Sequence, residues 1–123
     1  MDEAVLVSIV DDDVSMRQSL PILVRGFGFK VLTFACAEDF LASECVGRTK
    51  CLVLDIAMPG MSGPDLQREL TRQGRRIPIV FTTGQADPGI RQQLLADGAV
   101  ACLFKPFSAL ALREAVNTAL GVN

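Results

Sequence analysis

Five short apolar runs, rich in β-branched residues, recur along the chain, and stretches with helical spacing separate them. The runs occupy residues 4–10, 31–34, 51–54, 77–81 and 99–104. They are apolar throughout rather than alternating, which suits strands buried on both faces of a parallel sheet. The first intervening stretch, 14–27, places Met16, Leu20, Leu23 and Val24 on one helical face. A short helix is predicted over 37–43. Ser62-Gly63-Pro64-Asp65 opens a third helix, with Ser62 as cap, Asp65 completing a capping box and Gly74 closing the end. Asp87-Pro88 opens a fourth, the aspartate capping and the proline just inside. Ser108 caps a fifth, in which Leu112, Val116 and Leu120 share a face. Pro21 interrupts the first helix and removes one of its hydrogen bonds, so a kink or a late start is expected there.

Strand and helix therefore alternate five times, in units of roughly 25 residues. This alternation predicts an α/β fold, a parallel five-stranded sheet with helices on both faces. Right-handed crossovers leave few topologies, and the doubly wound order 2-1-3-4-5 is the common one for five strands. The chain is too short for a (βα)8 barrel.

At 123 residues the expectation is one domain spanning 1–123. Half of the residues are hydrophobic and 21% are charged, which excludes disorder. The net charge of −2 gives no support to general nucleic-acid binding. The chain has no histidine, so a histidine base, nucleophile or metal ligand is excluded within it. Cys36, Cys45, Cys51 and Cys102 show no paired spacing and are expected to be free thiols. No apolar run approaches the ~20 residues of a membrane span, so a soluble, cytoplasmic protein is expected. Arg72, Arg75 and Arg76 read as a solvated helix end.

In open α/β sheets, sites form beyond the carboxyl ends of the strands. Here the first strand ends in Asp11-Asp12-Asp13, the third in Asp55, the fourth in Thr82-Thr83-Gly84 and the fifth in Lys105-Pro106. Asp13 is expected to cap the following helix. Each feature alone is commonplace, but together they converge on one edge of one sheet. Crowded carboxylates raise one another's pKa unless a cation intervenes. A hard divalent ion with oxygen ligands answers that need, and Mg²⁺ is the abundant one. Mg²⁺, a lysine and a hydroxyl around a carboxylate can stabilise phosphoryl oxygens. The carboxylate can itself be the nucleophile. Asp55 is the best candidate, standing at the central strand between the acidic residues and Lys105.

With IVDDD after the first run, LDIAMPGMSG around Asp55, VFTTG at the fourth run and FKPF at the fifth, the sequence resembles a bacterial response-regulator receiver domain. The resemblance covers essentially the whole chain. ACAEDF, TGQAD and GAVACLFKPF are similar to the FixJ-like branch, whose members usually carry a DNA-binding output domain. The resemblance implies that Asp55 accepts a phosphoryl group from a phosphohistidine on a sensor histidine kinase or phosphotransfer protein. It implies that Asp12 binds Mg²⁺ directly, that Asp11 helps to position it, and that Ala57 offers a backbone carbonyl. Thr83 would bond a phosphoryl oxygen after transfer, and Lys105 would pair with another. Lys105-Pro106 is often a cis peptide in the family. Thr83 rather than Thr82 takes the switch position, because it directly precedes the small residue Gly84. The chain departs from the family at Cys102, where an aromatic residue usually moves with the threonine. A thiol there reads as a small packing residue. Phosphorylation would reshape the face of the fourth helix, fifth strand and fifth helix, with a homodimer on activation. DNA binding would fall to an output domain outside this chain.

Three other readings fit these residues less well. A Mg²⁺-dependent hydrolase with an aspartate nucleophile would use a D-x-D loop, which Asp11-Asp12-Asp13 contains, but would want a cap domain. A flavin-binding electron carrier would want a phosphate loop where the acidic triplet stands, and aromatic residues to sandwich the ring, yet no Trp or Tyr is present. A degenerate receiver used only for contacts is opposed by the intact Asp11, Asp12, Asp55, Thr83 and Lys105.

Overall fold

The computed structural model describes residues 4–85 and 87–122. Five parallel strands, β1 (Leu6–Val10), β2 (Lys30–Phe34), β3 (Thr49–Asp55), β4 (Ile79–Thr83) and β5 (Ala101–Phe104), form one sheet in the order β2-β1-β3-β4-β5. Five helices alternate with them: α1 (Val14–Gly26), α2 (Ala37–Ala42), α3 (Gly63–Arg72), α4 (Pro88–Ala96) and α5 (Ala109–Ala119). The predicted class and strand order are those observed. Among the described residues no helix is long and apolar enough to cross a membrane.

Burial follows each strand's place in the sheet. β1 and β4 are buried at every position, while the outer strands β2 and β5 are only partly covered. Two apolar clusters lie on opposite faces. On one, Ile9, Val53 and Val80 meet Leu20 and Val24 of α1 and Leu112 and Val116 of α5. On the other, Leu52, Leu54 and Phe81 meet Phe40 of α2, Leu66 and Leu70 of α3, and Leu94 of α4. This is the three-layer sandwich that continuous apolar strands require. Ser8 is a buried polar exception in β1. Its hydroxyl lies 2.7 Å from that of Thr49, which in turn donates to the Cys45 carbonyl, so Ser8 is the donor of the pair.

The caps fall where the side chains foretell them. Asp13 accepts from the Ser15 and Met16 amides, Asp87 from Gly89 and Ile90, and Ser108 from Ala111. Ser62 and Asp65 form the full capping box of α3. Gly74, at φ 74°, ends that helix in the left-handed conformation.

Several expectations need correction: β1 starts at Leu6 rather than residue 4, β3 at Thr49 rather than 51, and β5 at Ala101 rather than 99. α1 begins at Val14 and runs unbroken through Pro21, so it does not start late. Pro21 is buried within the helix, and thirteen residues of helix with an aspartate cap tolerate the lost bond. β4 starts at Ile79 rather than residue 77, because Pro78 has no amide N–H to give the ladder and joins β3 only by accepting from the Leu52 amide. A single 3-10 turn, Val46–Arg48, precedes β3 and was not foreseen. It lacks the length for a periodic signal.

Two substitutions test this packing. Gly63 opens α3 so close to β3 that an added Cβ would press on the Asp55 carbonyl oxygen and lie 3.1 Å from Ile56 Cα and the Phe81 ring. Gly63→Ala should destabilise the domain by about 1–3 kcal/mol, read by urea unfolding. Thr82 Oγ1 is buried with no hydrogen-bond partner. Thr82→Val keeps the shape and removes the orphan, so it should gain about 1 kcal/mol and raise Tm by roughly 4 °C.

Candidate metal and phosphoacceptor site

The carboxyl ends of β1, β3, β4 and β5 meet at one edge of the sheet. β1 leads directly into Asp11, β3 ends at Asp55, β4 at Thr83, and β5 leads into Lys105. The parallel register aligns them: Val10 pairs with Leu54, and Asp55 with Thr82. Asp55 is thereby held on the central strand, buried but for its outer rim (6% exposed). The Ile56 amide donates to the Thr82 carbonyl at 3.0 Å, and the Gly63 amide to the Ile56 carbonyl at 2.9 Å. These two bonds tie the chain after Asp55 to β4 and to the start of α3.

One carboxylate oxygen from each of Asp11, Asp12 and Asp55 can be chosen so that all lie within 4.8 Å of one another. Asp11 is almost wholly buried and Asp12 is exposed. A cluster of this kind suits a hard cation with oxygen ligands. Asp13 faces away and caps α1, so the acidic triplet is not a D-x-D pair aimed into the site. Its amide instead donates to Asp11 Oδ1 at 2.9 Å, fixing that carboxylate.

Lys105 closes the site. Its Nζ lies 3.1 Å from Asp11 Oδ2 and 3.4 Å from Asp55 Oδ1, bridging two carboxylates that are distant in sequence. Burial opposes the lysine's charge, but Asp11 and Asp55 outweigh that cost and raise its pKa above the usual value. The Lys105 amide donates to the Thr83 carbonyl at 2.8 Å, which anchors the base of this loop. The Lys105-Pro106 bond is cis. Asp55 is pushed up from 3.8 to about 6, first by burial and then by the charge of Asp11, against the lowering influence of Lys105.

The Thr83 side chain makes no hydrogen bond to these groups among the described residues. Its hydroxyl accepts from the Gln85 amide at 3.1 Å and donates to the Gln85 carbonyl at 3.4 Å, so it is engaged within its own loop. Cys102 pairs in register with Phe81 and is buried in the cluster formed with α3 and α4. Burial raises its thiol pKa, although Arg91 opposes this. Cys36, Cys45, Cys51 and Cys102 are all free. Ala57 follows Asp55 by two residues on the exposed side of the loop. Sequence reasoning missed how Asp11 is held. The Arg17 guanidinium donates to the Asp11 carbonyl at 3.0 Å, and only its place on the first turn of α1 could have hinted at that.

The family profile of the response regulator receiver domain matches residues 7–117. The chain is similar to nodulation protein W of Bradyrhizobium diazoefficiens, with 44% identity over 111 residues, covering 90% of this chain and 49% of that protein. It is 34% identical to the transcriptional regulatory protein FixJ of Azorhizobium caulinodans over 121 residues, covering 98% of this chain and 57% of that one. Among solved structures, the response regulator StyR superposes with a TM-score of 0.89 at 43% identity, covering 97% of this chain and 60% of that one. The crystal structure of FixJ-N gives 0.85 at 34%, covering 98% and 96%. The chain thus spans about half the length of the curated relatives it matches. Its sequence, its strand order and the carboxylates gathered at one sheet edge all lead to the same assignment: the chain belongs to the response-regulator receiver domains of two-component signalling, with FixJ-like regulators among its relatives.

Proposed function

We propose that Asp55 is the phosphoacceptor and that this domain takes its phosphoryl group from a phosphohistidine on a sensor histidine kinase or phosphotransfer protein, in the cytoplasm. The observation that carries this reading is the convergence of Asp11, Asp12 and Asp55, with Lys105 bridging two of them. Asp11, Asp12 and Asp55 would hold Mg²⁺, joined by the Ala57 carbonyl. Bound there, the ion would neutralise the carboxylates and draw charge from the phosphoryl oxygens.

This chain's own residues do the rest. An Asp55 carboxylate oxygen attacks phosphorus, the P–N bond to the donor imidazole breaks, and the electron pair leaves with that nitrogen. Lys105 already sits beside Asp55 and needs only a small shift to pair with the incoming oxygens. The aspartyl phosphate adds about −1.5 to −2 charges at one point. Thr83 then exchanges its Gln85 bonds for a phosphoryl oxygen, which draws the loop after β4 inward. The face of α4, β5 and α5 carries that change outward. A hollow of about 500 Å³ there is lined by Arg91, Cys102, Phe104 and Phe107. Homodimerisation through this face and control of a DNA-binding output domain complete the reading. This domain itself makes no DNA contact.

Intact-mass spectrometry after incubation with acetyl phosphate tests the acceptor. A single phosphoryl adduct should require Mg²⁺ and be absent in Asp55→Asn. An adduct that persists in the variant would move the acceptor elsewhere, and no adduct in the wild type would leave a contact module.

A pH dependence follows from the raised pKa of Asp55. Between 3.8 and about 6 the folded, metal-free protein holds a proton that the unfolded chain has released. Stability must therefore fall as pH rises through that window. The metal-free wild type should lose Tm relative to Asp55→Asn between pH 4 and pH 7, and saturating Mg²⁺ should restore most of the difference. Parallel melting curves for the two proteins across that range would contradict the assignment.

A further inference from the structure

The amino ends of the strands, at the edge opposite Asp55, carry a feature that phosphotransfer does not use. Three hollows run together there. The first, of about 580 Å³, lies between the α3–β4 connection and the turn after α4. The second, about 380 Å³, shares Gly74, Arg75, Arg76, Ile77 and Pro78 with it and extends to Lys50. The third, about 540 Å³, shares Gly47 and Lys50 with the second and reaches Lys30 and the start of β1. The result is one continuous trough. The β1–β3 ladder skips Lys50, since Leu6 pairs with Thr49 and Val7 with Cys51, and Lys50 is left exposed at its centre.

Five cations line this trough: Arg75, Arg76, Lys50, Arg48 and Lys30. None pairs with a carboxylate among the described residues, whereas Arg68, Arg72 and Lys105 all do. The lining includes one carboxylate, Asp97, which already accepts from the Gln93 amide. Five of the twelve basic residues of a chain with net charge −2 are thus gathered on one edge, without a carboxylate partner among the described residues. The floor is apolar, formed by Leu70, Ile77, Pro78, Val5 and Leu6. Gln67, 7% exposed, adds an amide to the wall.

We propose that this trough is a docking site for an acidic peptide segment of a protein partner, with carboxylates on the arginines and lysines and apolar side chains on the floor between them. Three chained hollows are longer than a compact small molecule needs, which favours an extended occupant. Single-stranded nucleic acid fits less well, because no aromatic residue lines any of the hollows and bases have nothing on which to stack. The site lies at the far end of the strands from Asp55, so its occupant and a phosphodonor can bind together.

The test is a titration of the ¹⁵N-labelled chain at low salt with a 12-residue peptide in which glutamates alternate with leucine and proline. Amide shifts should map to Gly74, Ile77, Gly98 and Lys50. Arg75→Glu combined with Arg76→Glu should weaken binding at least tenfold, while Arg113→Glu, an exposed cation on α5, should change it less than twofold. Both variants should label with acetyl phosphate at the wild-type rate, which shows that they fold. The proposal is overturned if the same peptide with glutamine for glutamate binds equally well, if the double variant binds like wild type, or if a dT12 oligonucleotide binds more tightly than the acidic peptide.

Discussion

Lys105 bears on everything at the carboxyl edge of this sheet. Three carboxylates converge there, two of them buried, and burial first and the charge of Asp11 second push Asp55 toward its neutral form. The lysine ammonium reaches Asp11 and Asp55 from the end of β5 and offsets part of that repulsion. The offset is incomplete, since Asp55 remains well above an ordinary aspartate. That residue of unfavourable charge is what a divalent cation would relieve. The site is therefore under electrostatic strain before any ligand arrives, and both metal binding and phosphoryl transfer would act on it.

Much of the fold was legible because its strands are apolar on both faces and its helices are capped by short polar side chains. Ser62 with Asp65, Asp87 with Pro88, and Ser108 mark helix starts in sequence and in structure alike. Alternation and crossover handedness left few strand orders, and the common one among them is the one observed. What escaped was local. The start of β4 is set by Pro78, which has no N–H for the ladder and offers only its carbonyl to Leu52, a signal inside the apolar run 77–81 that its hydrophobicity masks. The skipped Lys50 is likewise a property of two strands together. Pro21 gave a true warning about one hydrogen bond but no measure of the burial that outweighs it.

The candidate site was legible for a different reason. Parallel strands deliver their last residues to one edge, so charged residues after apolar runs must meet. Asp11, Asp12, Asp55 and Lys105 do meet. The Thr83 hydroxyl instead closes a turn on Gln85, since neighbouring polar groups of that kind compete for short side chains. The cations of the opposite edge were legible only as a helix end. Arg75 and Arg76 join Lys50, Arg48 and Lys30 through loops separated in sequence, and the grouping exists only once β1, β2 and β3 lie side by side.

Thr83 and Cys102 bear on how a change at Asp55 would travel. The two Gln85 bonds that hold the Thr83 hydroxyl are ordinary neutral ones, at 3.1 and 3.4 Å. A charge-assisted bond to a phosphoryl oxygen is roughly twice as strong as a neutral one. Trading both Gln85 bonds for one such bond would then be close to balanced once the phosphoryl group is in place, and unfavourable before it. Phe104 pairs with Thr83 across the β4–β5 ladder, and Cys102 pairs with Phe81 two residues earlier. Cys102 is small and buried, so it has little surface to sweep when the loop moves. Phe104, half-buried and in register with the threonine, borders the hollow between α4 and α5. On the proposed switch, the larger displacement on this face would therefore fall to Phe104 and the loop after β4, and the thiol would serve as fixed packing behind them.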